Sequence, residues 1–193
     1  MSNFTIWLQQ GIHHILAYDA ADHILYIVAL TLGYTYKQWR AVLLLATAFT
    51  IGHSITLLLT ALNFIPSYSV WVEFFIPLTI AATAVYKAFT QYKKTKINIA
   101  KLPYILALLF GLVHGMAYGA ISVGSLYSGA EAVYMVLAFN LGVELGQVVV
   151  IIATLLLTFL LTMFTKLKPI YWQLTVYILI TLYALYLAIL HLP

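Results

Sequence analysis

The chain has 193 residues, of which 64% are hydrophobic and 7% are charged, and it contains no cysteine. Soluble domains carry about 25% charged residues, so this composition predicts an integral membrane protein. Absence of cysteine excludes disulfides, zinc–thiolate sites, iron–sulfur clusters and thiol nucleophiles. The net charge of +4 does not indicate nucleic-acid binding, because the basic residues fall in short connections between apolar segments.

Six apolar runs follow one another along the chain, of a length suited to crossing about 30 Å of hydrocarbon. They lie at residues 20–36, 41–63, 69–91, 102–124, 133–164 and 170–190. We therefore predict an all-α fold: one integral membrane domain over residues 1–193, built as a bundle of six transmembrane helices. Polar residues interrupt the preceding segment, 1–18. We expect it to form a short half-helix on the outer side, either interfacial or re-entrant.

The charged residues divide between the two sides of this predicted bundle. All nine Lys and Arg fall in or beside the first, third and fifth connections, and all five Asp and Glu lie in the other half. The positive-inside rule assigns basic connections to the cytoplasm. Both termini are therefore predicted to be extracytoplasmic, and the outer mouth is expected to be acidic. The acidic residues expected at that mouth are Asp19, Asp22, Glu73 and Glu131.

Two histidines in the predicted spans indicate a functional site, because a bilayer penalises ionisable groups heavily. His53 and His114 each lie twelve residues from the basic end of their run, and each is flanked by glycine. Two imidazoles at one depth predict a shared site, with Ser54 as a supporting polar neighbour. For either histidine alone, a hydrogen bond to a carbonyl is the structural alternative.

A second group of candidates lies nearer the outer side. We expect His14, Asp22 and His23 at the outer mouth of the first span, where a helix cap with interfacial histidines is the structural alternative. Glu73 lies four residues inside the third run. Both a supporting role and simple contact with water are open for this carboxylate.

The fifth run adds a polar face. Asn140, Glu144 and Gln147 are spaced i, i+4 and i+7, so they share one side of a helix. Hydrogen bonding between helices suffices to explain the two amides. A buried carboxylate needs a cation or a proton donor, so Glu144 is the stronger candidate for a functional role.

Imidazole and carboxylate without thiolate are typical ligands of divalent ions such as Ni, Co or Zn. We therefore predict a divalent metal ion as the bound species, and three classes of function are open. A transporter would bind the ion at an outward-opening site. An intramembrane zinc-dependent hydrolase would use Glu144 or Asp22 as a general base. In a structural membrane protein, the polar groups would only join helices.

Five motifs occur in order along almost the whole chain. They are Gly11-Ile-His-His-Ile15 with Asp22-His23-Ile-Leu25, then Thr47-Ala-Phe-Thr-Ile-Gly-His-Ser54, Val72-Glu73, Phe110-Gly-Leu-Val-His-Gly115 and Phe139-Asn-Leu-Gly-Val-Glu-Leu-Gly-Gln147. This set resembles the HupE/UreJ family of bacterial membrane proteins. One departure is Ala20-Ala21, where related sequences tend to carry Gly-Tyr.

The resemblance implies a nickel or cobalt permease in a bacterial inner membrane. Its partners would be the metal ion and the lipid bilayer, with no nucleic acid, and a homo-oligomer is compatible with it. The positions implied to handle metal are His14, Asp22, His23, His53, His114 and Glu144.

The predicted orientation can be tested by labelling single cysteines, because the chain has none of its own. Cysteine at Ser67 should react with an impermeant thiol reagent from outside intact cells, and cysteine at Thr95 should not. The reverse pattern would invert the topology.

Overall fold

The computed structural model describes residues 3–18, 20–65, 70–93, 101–122, 129–165 and 168–193. Within these ranges the chain forms helices and short connections and contains no strand, which confirms the all-α class. The helices are α1 (Asn3–Leu16), α2 (Ala21–Thr31), α3 (Trp39–Ala61), α4 (Val70–Tyr92), α5 (Leu102–Ser122), α6 (Ala130–Phe164) and α7 (Pro169–Leu190), with a 3-10 turn at Tyr36–Gln38. Asp19, Ser67 and Thr95 lie outside the described residues.

Four helices, α3, α4, α6 and α7, are long and apolar enough to cross a membrane, and α2 and the first part of α5 are shorter apolar helices. Large side chains face outward along these helices. On α3, for example, Leu44, Ile51 and Ile55 are exposed, whereas Leu45 and Phe49 are buried. A helix that is hydrophobic on both its inner and its outer face is typical of a lipid environment. The chain is therefore a membrane protein.

The bundle consists of three closely packed helix pairs around one central short helix. The pairs are α3 with α5, α1 with α6 and α4 with α7, and α2 contacts members of all three. Tyr26, Ile27 and Ala29 of α2 are almost completely buried. The beginning of α2 therefore brings His23 into the interior, with the partly buried Asp22 beside it. The apolar run at 20–36 was predicted as one span, but its helix ends at Thr31 and turns through Gly33 into the 3-10 turn.

Glycines bring the backbones of α3 and α5 together. A Cβ atom at Gly52 would lie 2.1 Å from the Leu108 carbonyl oxygen, and one at Gly111 would lie 2.0 Å from that of Phe49. Small residues permit this close approach between membrane helices. The two histidines adjacent to this contact, His53 and His114, are thereby held on neighbouring helices.

A second glycine contact joins α1 to α6. A Cβ atom at Gly11 would lie 2.0 Å from the Phe139 carbonyl oxygen, and one at Gly142 would lie 2.1 Å from that of Leu8. Further along both helices, Gly146 faces Ile15, so α1 and α6 run in the same direction. The N-terminal helix therefore packs along the middle of α6.

Polar pairs at both ends hold α4 antiparallel to α7. At one end, His191 Nδ1 lies 3.3 Å from Glu73 Oε2. At the other, the Gln91 amide donates a hydrogen bond to Gln173 Oε1, and Gln173 donates to the carbonyl of Leu32 at 3.0 Å. Glu73 therefore joins α4 to α7 at the exposed edge of the bundle.

The glycine contacts predict a graded effect on stability. Gly52→Ala and Gly111→Ala place a methyl group against a backbone carbonyl that cannot rotate away, and overpacking of this kind costs about 1–3 kcal/mol. Gly33→Ala is a matched control, because its nearest neighbour is the flexible side chain of Gln91. Thermal unfolding in detergent measures the difference. Equal melting temperatures for all three variants would contradict the close backbone contact.

Candidate metal centre

Three histidines from three helices converge inside the bundle. His14 lies in the last turn of α1, His23 in the first turn of α2, and His53 in the middle of α3. One ligand atom from each lies within 4.8 Å of those of the other two. The ring centroid of His14 is 4.5 Å from that of His23 and 5.9 Å from that of His53. Segments that are far apart in sequence thus supply one donor cluster.

His23 lies close to both histidines that were predicted within the spans. His14 and His23 were predicted at the outer mouth of the first span, and the metal-handling set implied by the resemblance groups them with His53 and His114. In the structure, the ring centroid of His23 lies 6.4 Å from that of His53 and 5.2 Å from that of His114. The cause is the break between α1 and α2, which lets one helix end and the next begin inside the bundle.

His114 lies beside this cluster on α5. It is buried, with 1% of its surface exposed. Its ring packs against that of His23, with 5.2 Å between the ring centroids. The group of three donors within 4.8 Å does not include it. His114 is therefore adjacent to the cluster through His23.

Three of the histidines have their Nδ1 atom held by an oxygen. His23 Nδ1 lies 2.9 Å from the carboxylate of Asp22, and His114 Nδ1 lies 2.9 Å from the carbonyl of Phe110. A carboxylate and a carbonyl only accept hydrogen bonds, so in both histidines Nδ1 carries the proton. Asp22, a candidate ligand from the sequence, therefore orients His23.

His53 is oriented in the same way by α6. Its Nδ1 lies 2.9 Å from Asn140 Oδ1. The amide of Asn140 is fixed, because its nitrogen donates to the Val136 carbonyl at 2.8 Å. The oxygen must then face the imidazole, and His53 Nδ1 donates to it. Asn140, which was predicted as a supporting residue, thus sets the tautomer of His53.

These tautomers leave the Nε2 lone pairs available. Among the residues that the structure describes, Nε2 of His23, His53 and His114 is buried without a hydrogen-bond partner. Buried polar atoms are rarely left so, and an ion or a water is the usual explanation. Most metal-binding histidines bind the ion with one ring nitrogen and donate a hydrogen bond to an oxygen with the other. The same arrangement is present here, with Nδ1 as the donor and Nε2 left without a partner in the described residues. The arrangement is chemically suited to bind a divalent transition metal.

Aromatic rings enclose these imidazoles. Phe49 lies 5.1 Å from His114 and 6.1 Å from His53 between ring centroids, and Phe139 lies 6.2 Å from His53. Tyr26 closes another side, 5.8 Å from His114. These rings exclude water and lipid from the donors, and an apolar shell of this kind strengthens electrostatic interactions within it.

The two half-length helices present opposite dipole ends near the cluster. The C-terminal end of a helix attracts cations, and His14 lies in the last turn of α1. The N-terminal end of α2 would repel a cation, but Asp22 occupies its first turn. The carboxylate offsets the positive end of that helix close to the donors.

Glu144 and Gln147 form a second polar contact beside the cluster. Glu144 Oε1 accepts a hydrogen bond from Thr47 at 2.5 Å, and Gln147 Oε1 accepts one from Thr50 at 3.0 Å. Glu144 lies one helical turn beyond Asn140, on the same face. Glu144 is therefore one turn from the residue that holds His53, and it is not part of the three-histidine group.

Two supporting candidates do not reach the cluster. Ser54 donates to the Thr50 carbonyl of its own helix at 2.7 Å, and Glu73 pairs with His191. Thr47 was not among the residues predicted from the sequence, whereas Thr50 was expected to satisfy polar neighbours and does so by donating to Gln147. Thr47 and Thr50 precede His53 at intervals of three residues, so all three lie near one face of α3. This spacing could have predicted that the two threonines contact the polar face of α6, as they do.

The tautomers can be tested without metal. Nitrogen-15 NMR of labelled histidines should find the Nδ1–H form for His23, His53 and His114. Asn140→Leu should abolish this preference at His53 only, because it removes the oxygen that accepts the proton. Gln147→Leu is a matched control on the same face and should leave His53 unchanged. An Nε2–H form of His53 in the unchanged protein would contradict the arrangement.

Comparison with known proteins places this site in a family. The chain matches the family model described as HupE / UreJ protein over residues 1–191. No curated protein and no solved structure is significantly similar to it. The match includes all seven helices and every histidine of the cluster. The chain belongs to the HupE / UreJ family of membrane proteins.

Proposed function

We propose that this protein transports a divalent transition-metal ion, nickel or cobalt, across a bacterial inner membrane. The observation that carries the proposal is the convergence of His14, His23 and His53 within 4.8 Å at the centre of the bundle. Membership of the HupE / UreJ family supports transition-metal handling. The ion is the cargo, and zinc suits the same donors.

The donor spacing suits a single ion. Metal–imidazole bonds of about 2.0–2.1 Å separate two nitrogens on one ion by roughly 3.3 Å. Small side-chain shifts from the present separations would suffice. We propose that His14, His23 and His53 bind directly and that His114 supplies a further nitrogen. The carboxylates of Asp22 and Glu144 would compensate the charge of the ion.

The break between α1 and α2 favours transport. These helices have 14 and 11 residues, or roughly 21 and 16 Å, so neither crosses a bilayer alone. We infer that together they make the first of six crossings, with both termini extracytoplasmic. Discontinuous helices that end at a central binding site recur in transporters, where they allow access to alternate between the two sides.

The Thr47–Glu144 and Thr50–Gln147 contacts offer an exit from the cluster. Both lie toward the basic end of α3, because Trp39 begins that helix and His53 follows Thr50. Hydroxyl, amide and carboxylate oxygens there can replace imidazoles as the ion leaves. We propose that the ion enters from the acidic side, rests on the histidines and departs along this contact.

The hydrolase alternative gains no support from the site. Asp22 and Glu144, its candidate general bases, are hydrogen-bonded to His23 and Thr47. A general base must be within reach of a metal-bound water. In their observed positions these carboxylates orient or balance neighbouring groups.

Metal binding should depend on specific histidines. His23→Ala and His53→Ala each remove a ligand, and we expect each to lower Ni²⁺ affinity by at least about 100-fold, since even outer-shell changes cost about 10–100-fold. Glu144→Gln keeps an oxygen for Thr47 but loses the charge, so a loss of about 10-fold is expected. Isothermal titration of purified protein measures binding, and uptake into proteoliposomes measures transport.

His13→Ala is the closest control, because His13 neighbours His14 on α1 but is exposed. His191→Ala, at the edge of the bundle, is a second control. Both should bind Ni²⁺ normally. Equal losses for His13→Ala and His14→Ala would contradict the proposed site, and tight binding without any uptake would contradict transport.

A further inference from the structure

Lys87 is a buried cation remote from the acidic residues. It lies five residues before the end of α4, its side chain is 9% exposed, and its Nζ lies 4.1 Å above the centre of the Tyr34 ring. Within the described parts of the chain, ion pairs join His23 to Asp22 and His191 to Glu73. No described carboxylate therefore neutralises Lys87, although a buried ammonium needs an anion.

A cavity of about 250 Å³ adjoins this lysine between α2, α4 and α5. Its lining extends from Lys87 and Pro103 to Tyr26 and Phe110, and it is almost entirely apolar. Four lining residues belong to α5, and the first and last of them, Pro103 and Phe110, are seven positions apart, which is roughly 10 Å along the helix. A cation at one end of an apolar cavity is complementary to an anionic head with a hydrocarbon chain.

The segment of the sequence that begins at Lys87 carries most of the positive charge. Lys87 is followed by Lys93, Lys94, Lys96 and Lys101, so five of the nine basic residues fall within fifteen positions. Clusters of 4–8 basic residues next to a membrane helix attract anionic lipids.

We propose that this cavity binds one anionic phospholipid from the leaflet at the lysine-rich end, with its phosphate on Lys87 and an acyl chain between α4 and α5. The chain would pack against Tyr26, whose ring lies 5.8 Å from that of His114. The lipid therefore stabilises the helix that carries His23.

Reconstitution in phosphatidylcholine nanodiscs, with and without phosphatidylglycerol, tests this site. Native mass spectrometry counts retained lipid, and the melting temperature reports stabilisation. The unchanged protein should retain one phosphatidylglycerol and melt higher in its presence. Lys87→Met should reduce retention about tenfold and abolish the shift, because the buried charge is lost.

Lys93→Met is the matched control, since Lys93 also lies over an aromatic ring, 4.9 Å from the centre of Phe89, but is exposed. It should retain the lipid. Ala107→Phe fills the cavity while keeping Lys87 and should displace the lipid, whereas Lys87→Arg should retain it. If Lys87→Met does not fold, Ala107→Phe and Lys87→Arg still test whether the lipid binds in this cavity.

Three results would overturn the proposal. Retention by folded Lys87→Met or by Ala107→Phe would place the lipid elsewhere. Equal losses in Lys87→Met and Lys93→Met would show diffuse attraction to the lysine cluster. An equal rise in melting temperature with glycerol phosphate alone would show that no acyl chain is bound.

Discussion

The central constraint in this structure is the burial of imidazole nitrogens away from water. Each of His23, His53 and His114 donates Nδ1–H to an oxygen fixed by a helix: a first-turn carboxylate, the amide of Asn140 and a backbone carbonyl. The Nε2 atoms are then left buried without hydrogen bonds among the described residues. Because an unsatisfied buried acceptor costs about 1–3 kcal/mol, this arrangement is stabilised by any ligand that binds Nε2.

The backbone contacts explain how the constraint is maintained. Gly52 and Gly111 bring α3 against α5, and Gly11 and Gly142 bring α1 against α6. Each pair carries histidines within a turn of its glycines. Side chains in a lipid environment gain little from hydrophobic association, so close backbone packing must hold the helices in place. The same packing that forms the bundle therefore fixes the distances between the imidazoles.

Much of the fold and of the candidate site could be predicted from the sequence. The length of the apolar runs predicted the helical class. The positions of His53 and His114 within their runs predicted two buried imidazoles, and in the structure both are buried and lie near His23. The depth of His14 and His23 in the bundle could not be predicted, because the sequence separates segment 1–18 from the run at 20–36 but does not say how far either enters the bundle. The packing of α1 against α6 decides this. The hydrogen bond between Asn140 and His53 depends on how α6 is rotated relative to α3. The periodicity of one helix does not determine that rotation, so this pairing could not be predicted.

The most direct test of the account is X-ray absorption spectroscopy of the purified protein loaded with one equivalent of Ni²⁺. The account predicts a nitrogen-rich coordination shell with the outer-shell scattering of at least three imidazole rings, and it predicts that His53→Ala loses one of them. A shell of oxygen ligands without imidazole scattering, or an identical spectrum for His53→Ala, would contradict the assignment of the histidine cluster as the metal site.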